Sequence, residues 1–439
     1  MPEYFPENNT PIWSDTEVRS LQKISSSLDS LSSGGAGGII GSFPTDSFGR
    51  LRTSNPLTLF DSNHRYDDNG LWSTFTSGTA SAAFNSSQGL VDLSVGSASG
   101  DEVIRETIKV FAYQPGKSLL VMNTFVMGPA KTNLRQRVGY YGDENGMYLE
   151  LYGNVLSFVK RSLVTGSVIE TSVYQSDWNG DKLDGTGASG IILDITKAQI
   201  LWMDFEWLGV GTVRMGFVIN GQFITCHYFH HANLIASTYI TTASLPLRYE
   251  IKNEGTPSPA TSSTLKQICS TVISEGGYQL VGSQKAINTP INSPRTLGTA
   301  GVFYPVISLK LKTSPDRLDA IVILTALSIL PVSTGNFNWQ IRAASTTTGG
   351  TWTSAGSDSA VEYNLTGTST SGGRILASGF FSQTNQSSGQ VDILKETLFK
   401  FQLERNGITG VPFETSLIIA SNGGSDTVVA SLDWEEISR

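Results

Sequence analysis

Residues able to do chemistry gather in three short stretches of this chain. In "MDFEW", Asp204 and Glu206 alternate along what reads as one strand. Residues i and i+2 of a strand share a face and lie about 6.6–6.8 Å apart. Carboxyl pairs that direct a water at a glycosidic bond stand ~6.5–9.5 Å apart, and pairs that form a covalent intermediate ~5–5.5 Å. The positions flanking the two acids hold Trp202 and Leu208 rather than a third acid, so no catalytic set is complete and no enzyme activity is expected. In "SDWNGDKLDG", Asp177, Asn179, Asp181 and Asp184 carry oxygen ligands at the spacing of a calcium loop. Lys182 stands sixth, where an EF-hand needs Gly, and Ala188 twelfth, where it needs Glu. The stretch is therefore a candidate for a looser calcium site or an Asx-rich turn. In "CHYFHH", Cys226 and His227 point to opposite faces of a strand, which disfavours one tetrahedral zinc. His230 and His231 then read as surface residues at a strand end. Trp178 and Trp202, with Trp72 and Tyr141, read as exposed aromatics on which sugar rings could stack. Packing in a core or a subunit interface is the competing reading.

The elements that position these residues are strands. From Trp72 to Tyr278, runs such as "KSLLVMNTFVM", "MYLELYG" and "VLSFVKRS" alternate with turn residues. The plainest hairpin is "TVRMGFVINGQFITCHYF", where Val213, Met215, Phe217 and Ile219 alternate and Asn220-Gly221 supplies a two-residue type I′ turn. On the preceding strand, Leu201, Met203, Phe205 and Trp207 form a core face. A second series, from "FYPVISLKLK" to "VVASLDWEEI", adds about eight strands. The expected class is mainly β: two antiparallel sandwiches of jelly-roll or concanavalin-like type, after a short N-terminal helix and linker. The expected boundaries are 1–42 for an attachment helix and Gly/Ser spacer, 43–71 for an extended clamp, 72–281 for the first sandwich, 282–301 for a linker and 302–439 for the second sandwich.

The N-terminal part predicts association. Ser14 and Glu17 form a capping box, and Leu21, Ile24, Leu28 and Leu31 follow at seam spacing before Gly34 and Gly35 end the helix. Two turns of seam cannot stand alone in water. They need other copies of the chain, expected as a homotrimer, or a host surface. In "FGRLRTSNPLTLFDSNHRYDDNGLW", Arg50, Arg52 and Arg65 can pair with Asp61, Asp67 and Asp68 or reach carbonyls of a neighbouring chain, while Leu57, Leu59 and Phe60 dock on the sandwich. A first edge strand with a solvated charged rim is the alternative.

Composition narrows the function classes. With 30 Lys and Arg against 38 Asp and Glu, the net charge is −8, which argues against nucleic-acid binding. No run of 18 apolar residues predicts a membrane span, and the N-terminus lacks a secretory pattern. Cys226 and Cys269 are expected as reduced, buried thiols of a chain made in the cytoplasm.

The wording of "FGRLRTSNPLTLFDSNHRYDDN", "RVGYYGDENGMYLELYGN", "QSDWNGDKLDGTG" and "LDWEEI" resembles virion structural proteins of tailed bacteriophages, marine ones in particular. The resemblance begins after residue 43. It implies a fibre, tail or capsid-decoration component assembled in the host cytoplasm, with other virion proteins and host-surface glycan as partners. It supplies no catalytic residues. "MDFEW" separately resembles the acid-bearing strand of jelly-roll glycoside hydrolases, with the acid triplet broken.

Overall fold

In the computed structural model, residues 55–111, 113–276, 281–383, 389–392 and 401–438 are described. Alternation of apolar and polar residues builds the first sandwich. One sheet has seven antiparallel strands in the order Ile169–Tyr174, Val155–Ser162, Gly146–Gly153, Lys131–Tyr141, Leu247–Ser258, Glu102–Thr107 and Trp72–Ser77. The facing sheet runs Gln222–Phe229, Val213–Ile219, Gln199–Phe205, Leu119–Val126, Ser263–Ser274, Leu90–Val95 and Ser81–Asn85. Its eighth strand, Leu57–Asn63, pairs with the second half of Ser263–Ser274. Leu201, Met203, Phe205, Val213, Met215 and Phe217 lie in the core between the sheets. The Asn220-Gly221 turn has φ of 53° and 75°, the pair of positive angles that a type I′ hairpin requires.

The second sandwich pairs a five-stranded with a six-stranded sheet. The first holds Ser283–Asn288, Asp426–Ser438, Ile321–Pro331 and Gly389–Asp392, with Arg295–Leu297 also on Asp426–Ser438. The second runs Thr353–Ser354, Val361–Asn364, Tyr304–Leu311, Glu414–Ser421, Asn336–Thr348 and Ser369–Ser382. Its core includes Val306, Leu309, Trp339, Leu417 and Trp434.

Two expectations change here. The span 282–301 is not a linker: Ser283–Asn288 and Arg295–Leu297 both pair with the last strand, and Leu297 is buried. Its low apolar content follows from an edge position, where half-exposed residues suffice to hold a strand. Cys226 is buried but Cys269 is exposed, next to the bulge at Ile268 of Ser263–Ser274, and both are free. Among the described residues there is no α-helix, and no helix is long and apolar enough to cross a membrane. The predicted seam helix with Leu21, Ile24, Leu28 and Leu31, and the clamp residues Arg50 and Arg52, lie outside the described residues. Residues Pro56–Arg439 form one compact unit holding both sandwiches.

Candidate functional site

Burial overturns the sugar-stacking assignment for Trp178 and Trp202. Trp178 follows a 3-10 turn, Gln175–Asp177, that returns its ring to the core, where it stacks on Phe158 at 4.4 Å and is only 2% exposed. Its indole N–H donates to the Val173 carbonyl at 3.2 Å. Trp202 alternates with core residues, but Phe223 of the next hairpin meets it edge-on at 5.4 Å and leaves it 4% exposed. Trp72 and Tyr141 are buried as well. Large rings lose most by staying wet, so neighbours close over them even on an outer sheet face.

The acid pair separates. The strand bearing Asp204 ends at Phe205, so Glu206 lies beyond it, exposed, while Asp204 is buried and paired with Arg214. In the candidate calcium loop, Asp181 accepts from the amides of Leu183 and Ser189, at 2.9 and 2.7 Å. Asp184 accepts from the Thr186 amide, and Asn179 exchanges two hydrogen bonds with the Tyr228 backbone. Asp177 joins none of these bonds, and among the described residues no three His, Cys, Asp or Glu have the geometry of a metal site. The bonds at Asp181 and Asp184 are those of the Asx-rich turn that was the alternative reading. His231 is also not a surface residue: it is buried, stacks on Tyr239 at 3.9 Å, and lies 2.7 Å by Nδ1 from the Gly211 carbonyl.

Within the described residues the clamp stretch forms the strand Leu57–Asn63 and the segment after it, with different partners from those expected. Arg65 is exposed and sits over the Tyr66 ring rather than on Asp61, Asp67 or Asp68. Asp68 instead holds Arg105 through both oxygens, at 2.7 and 2.9 Å. Arg105 points between the sheets, where its Nε donates to Gln267 at 2.7 Å and its Nη1 to Thr74 at 2.8 Å. Phe60 packs on Trp72 and Phe111, and the Trp72 indole N–H donates to Ser62 at 2.9 Å. Leu57–Asn63 is thus the edge strand of the alternative reading, with Phe60 docked as expected.

The richest side-chain chemistry lies on the outer face of the seven-stranded sheet. Register places Tyr174, Ser157, Glu150, Arg137, Glu250, Ile104 and Phe75 in one row across all seven strands. The next row holds Tyr148, Gly139, Arg248 and Glu106. Arg137 donates to Glu150 at 2.7 Å and to Glu250 at 3.4 Å. The guanidinium groups of Arg137, Arg161 and Arg248 stand 5.0–5.6 Å over the tilted rings of Tyr141 and Tyr148. Gly139 admits this pair: a Cβ there would meet Tyr148 Cα at 2.5 Å.

One end of this layer is closed by the second sandwich. Buried Glu106 receives Arg248 at 3.2 Å from its own sheet and Arg405 at 3.3 Å from the other sandwich. Arg405 also reaches Asp319, at 3.2 Å, and Gln402 donates to the Val110 carbonyl at 2.9 Å. Gly407 sits against Glu106, where a Cβ would approach Oε1 to 2.8 Å. Burial pushes the Glu106 carboxyl up to about 7, while Arg248 and Arg405 pull it down. The acids of this layer are matched by arginines, so it acts as a fixed polar junction rather than as a nucleophile beside a base. No motif marked it in the sequence; the one signal was Arg105 and Glu106 within the strand-like run "EVIRET".

No protein-family model and no curated protein matches the sequence. Among solved structures, a Bacillus licheniformis beta-glucanase aligns at 13% identity over 48% of this chain and 96% of its own, with a TM-score of 0.32. The CBM2 module of a Lactobacillus casei BL23 phage J-1 evolved Dit aligns at 6% over 52% and 100%, with a TM-score of 0.33. A glycosyl hydrolase family protein from Mycobacterium fortuitum aligns at 8% over 49% and 99%, with a TM-score of 0.34. The sandwich assignment rests on strand order and register in this chain itself.

Proposed function

We propose that this chain is a non-catalytic structural protein of a phage particle. In this reading it is an appendage that assembles with copies of itself, attaches through its N-terminal part and presents its sandwiches to host-surface glycan. The observation that carries the reading is the junction of Glu106, Arg248, Arg405 and Asp319. A buried Glu106 side chain held between arginines of two sandwiches ties them into one body, which suits a part that must transmit force and hold a fixed pose. The resemblance of its wording to virion structural proteins is a second support for the reading. Mass spectrometry of gradient-purified particles tests it, with imaging of particles labelled on this chain. A stoichiometric copy number on an appendage is expected. Absence from washed particles would overturn it.

A further inference from the structure

Beside the junction, the two sandwiches leave a cleft of about 640 Å³. That volume lies within the roughly 300–1,000 Å³ of small-ligand sites, which favour domain boundaries. The first sandwich contributes Tyr113, Trp207 and Glu144, and the second contributes Asp316, Leu318 and Asp319. Trp207 is fixed rather than mobile. Its indole N–H donates to the Ile240 carbonyl at 3.3 Å, and its ring meets Tyr113 edge-on at 5.8 Å. The Tyr113 hydroxyl accepts from the amides of Trp207 and Leu208, at 3.1 and 3.3 Å, which locks the aromatic wall to the backbone. Trp207 is only partly covered, unlike Trp178 and Trp202.

We infer that this cleft binds a neutral sugar segment, with pyranose C–H faces against Trp207 and hydroxyls donating to the rim carboxylates. A ring of C–H bonds matches an aromatic face, and ionised carboxylates take hydroxyl hydrogen bonds of 2.5–2.7 Å type, the stronger class. The rim sets Glu144, Asp316 and Asp319 against one lining cation, Arg317, whose Nη1 donates to the Asp316 carbonyl at 2.9 Å, so the cleft is net acidic and disfavours acidic sugars. Asp319 is held by Arg405, but Glu144 and Asp316 have no ion-pair partner among the described residues. Asp316, Asp319 and Asp143 hold the Glu144 carboxyl above its ordinary value, after the larger effect of burial. A uronate or sialate would add a further negative charge there.

The inference supplies a site for the glycan contact of the proposed function, and its test separates the two. The full chain is titrated with cellotetraose, mannotetraose and xylotetraose, and with tetragalacturonate as the acidic probe, by calorimetry and saturation-transfer NMR. One neutral probe should bind, with saturation transferred from aromatic protons, and tetragalacturonate should bind at least tenfold more weakly. Trp207→Ala should weaken the neutral probe at least tenfold. Glu144→Gln with Asp316→Asn, on exposed positions that leave folding intact, should weaken it severalfold and narrow the discrimination against the acidic probe. Binding within twofold of the parent in both variants would overturn the cleft while leaving a glycan-facing appendage standing. Preference for tetragalacturonate, or binding of no probe at millimolar concentration, would also overturn it. Binding as expected by a chain absent from particles would retain the cleft and remove the virion reading.

Discussion

Asp68 and Arg105 show how a single charge can be committed to the fold. Arg105 is almost wholly buried, and among the described residues Asp68 is its one carboxylate partner by direct ion pairing. Hydrogen bonds to charged groups contribute about 1.5–3 kcal/mol each, and exposure of Asp68 places its share at the lower end. Asp68→Asn should therefore lower the urea midpoint by the equivalent of about 1.5–2 kcal/mol. In an Arg105→Met background the same change should cost much less, which a double-mutant cycle measures. Glu106 gives a pH prediction. Its folded-state value, about 7, stands above its ordinary 4.5, so the folded chain keeps a proton that the unfolded chain releases between them. The stability it contributes is fully present below about 4.5 and lost as pH rises through about 7. Glu106→Gln should flatten the unfolding midpoint between pH 5 and 8 relative to the parent. An unchanged slope would place the proton elsewhere.

At the scale of elements, the hairpin joining Val213–Ile219 to Gln222–Phe229 depends on two residues with positive φ. Asn and Gly adopt that conformation at little cost, but a β-branched side chain does not. Gly221→Val, at φ 75°, should cost about 1–2 kcal/mol in thermal or urea unfolding with the sheet otherwise intact. Nothing stands within 4 Å of a Cβ built at Gly221, so the loss would report backbone conformation rather than a clash.

For the whole molecule, the junction predicts cooperativity. The two sandwiches have separate cores, yet Arg405, Gln402 and Gly407 place the second against Glu106, Val110 and Ser73 of the first. The parent should unfold in one calorimetric transition. Gly407→Val forces a side chain into Glu106 and the Thr107 carbonyl, at 2.8 and 3.0 Å from the Cβ alone. That variant should split the transition in two or shift one component down by several degrees. A single unshifted transition would mean that the sandwiches are coupled by other contacts.

Periodicity alone determined that this chain is built of strands, where the Asn220-Gly221 turn falls, and which side of Gln199–Phe205 meets the core. Those features are local: a period of two and a pair of permissive residues are written in consecutive positions. The fate of Trp178 and Trp202, and the strands within 282–301, depended on neighbours far along the chain. A side chain's parity assigns its face, but only the packing of Phe223 or of the last strand decides whether that face is wet. The same holds for charge. Asp68 lies 37 residues from Arg105, and Glu106 lies 299 from Arg405. Electrostatic pairing acts through space, so a linear reading assigned the clamp's arginines to the nearest aspartates, and the folded chain gave Asp68 to a buried arginine instead.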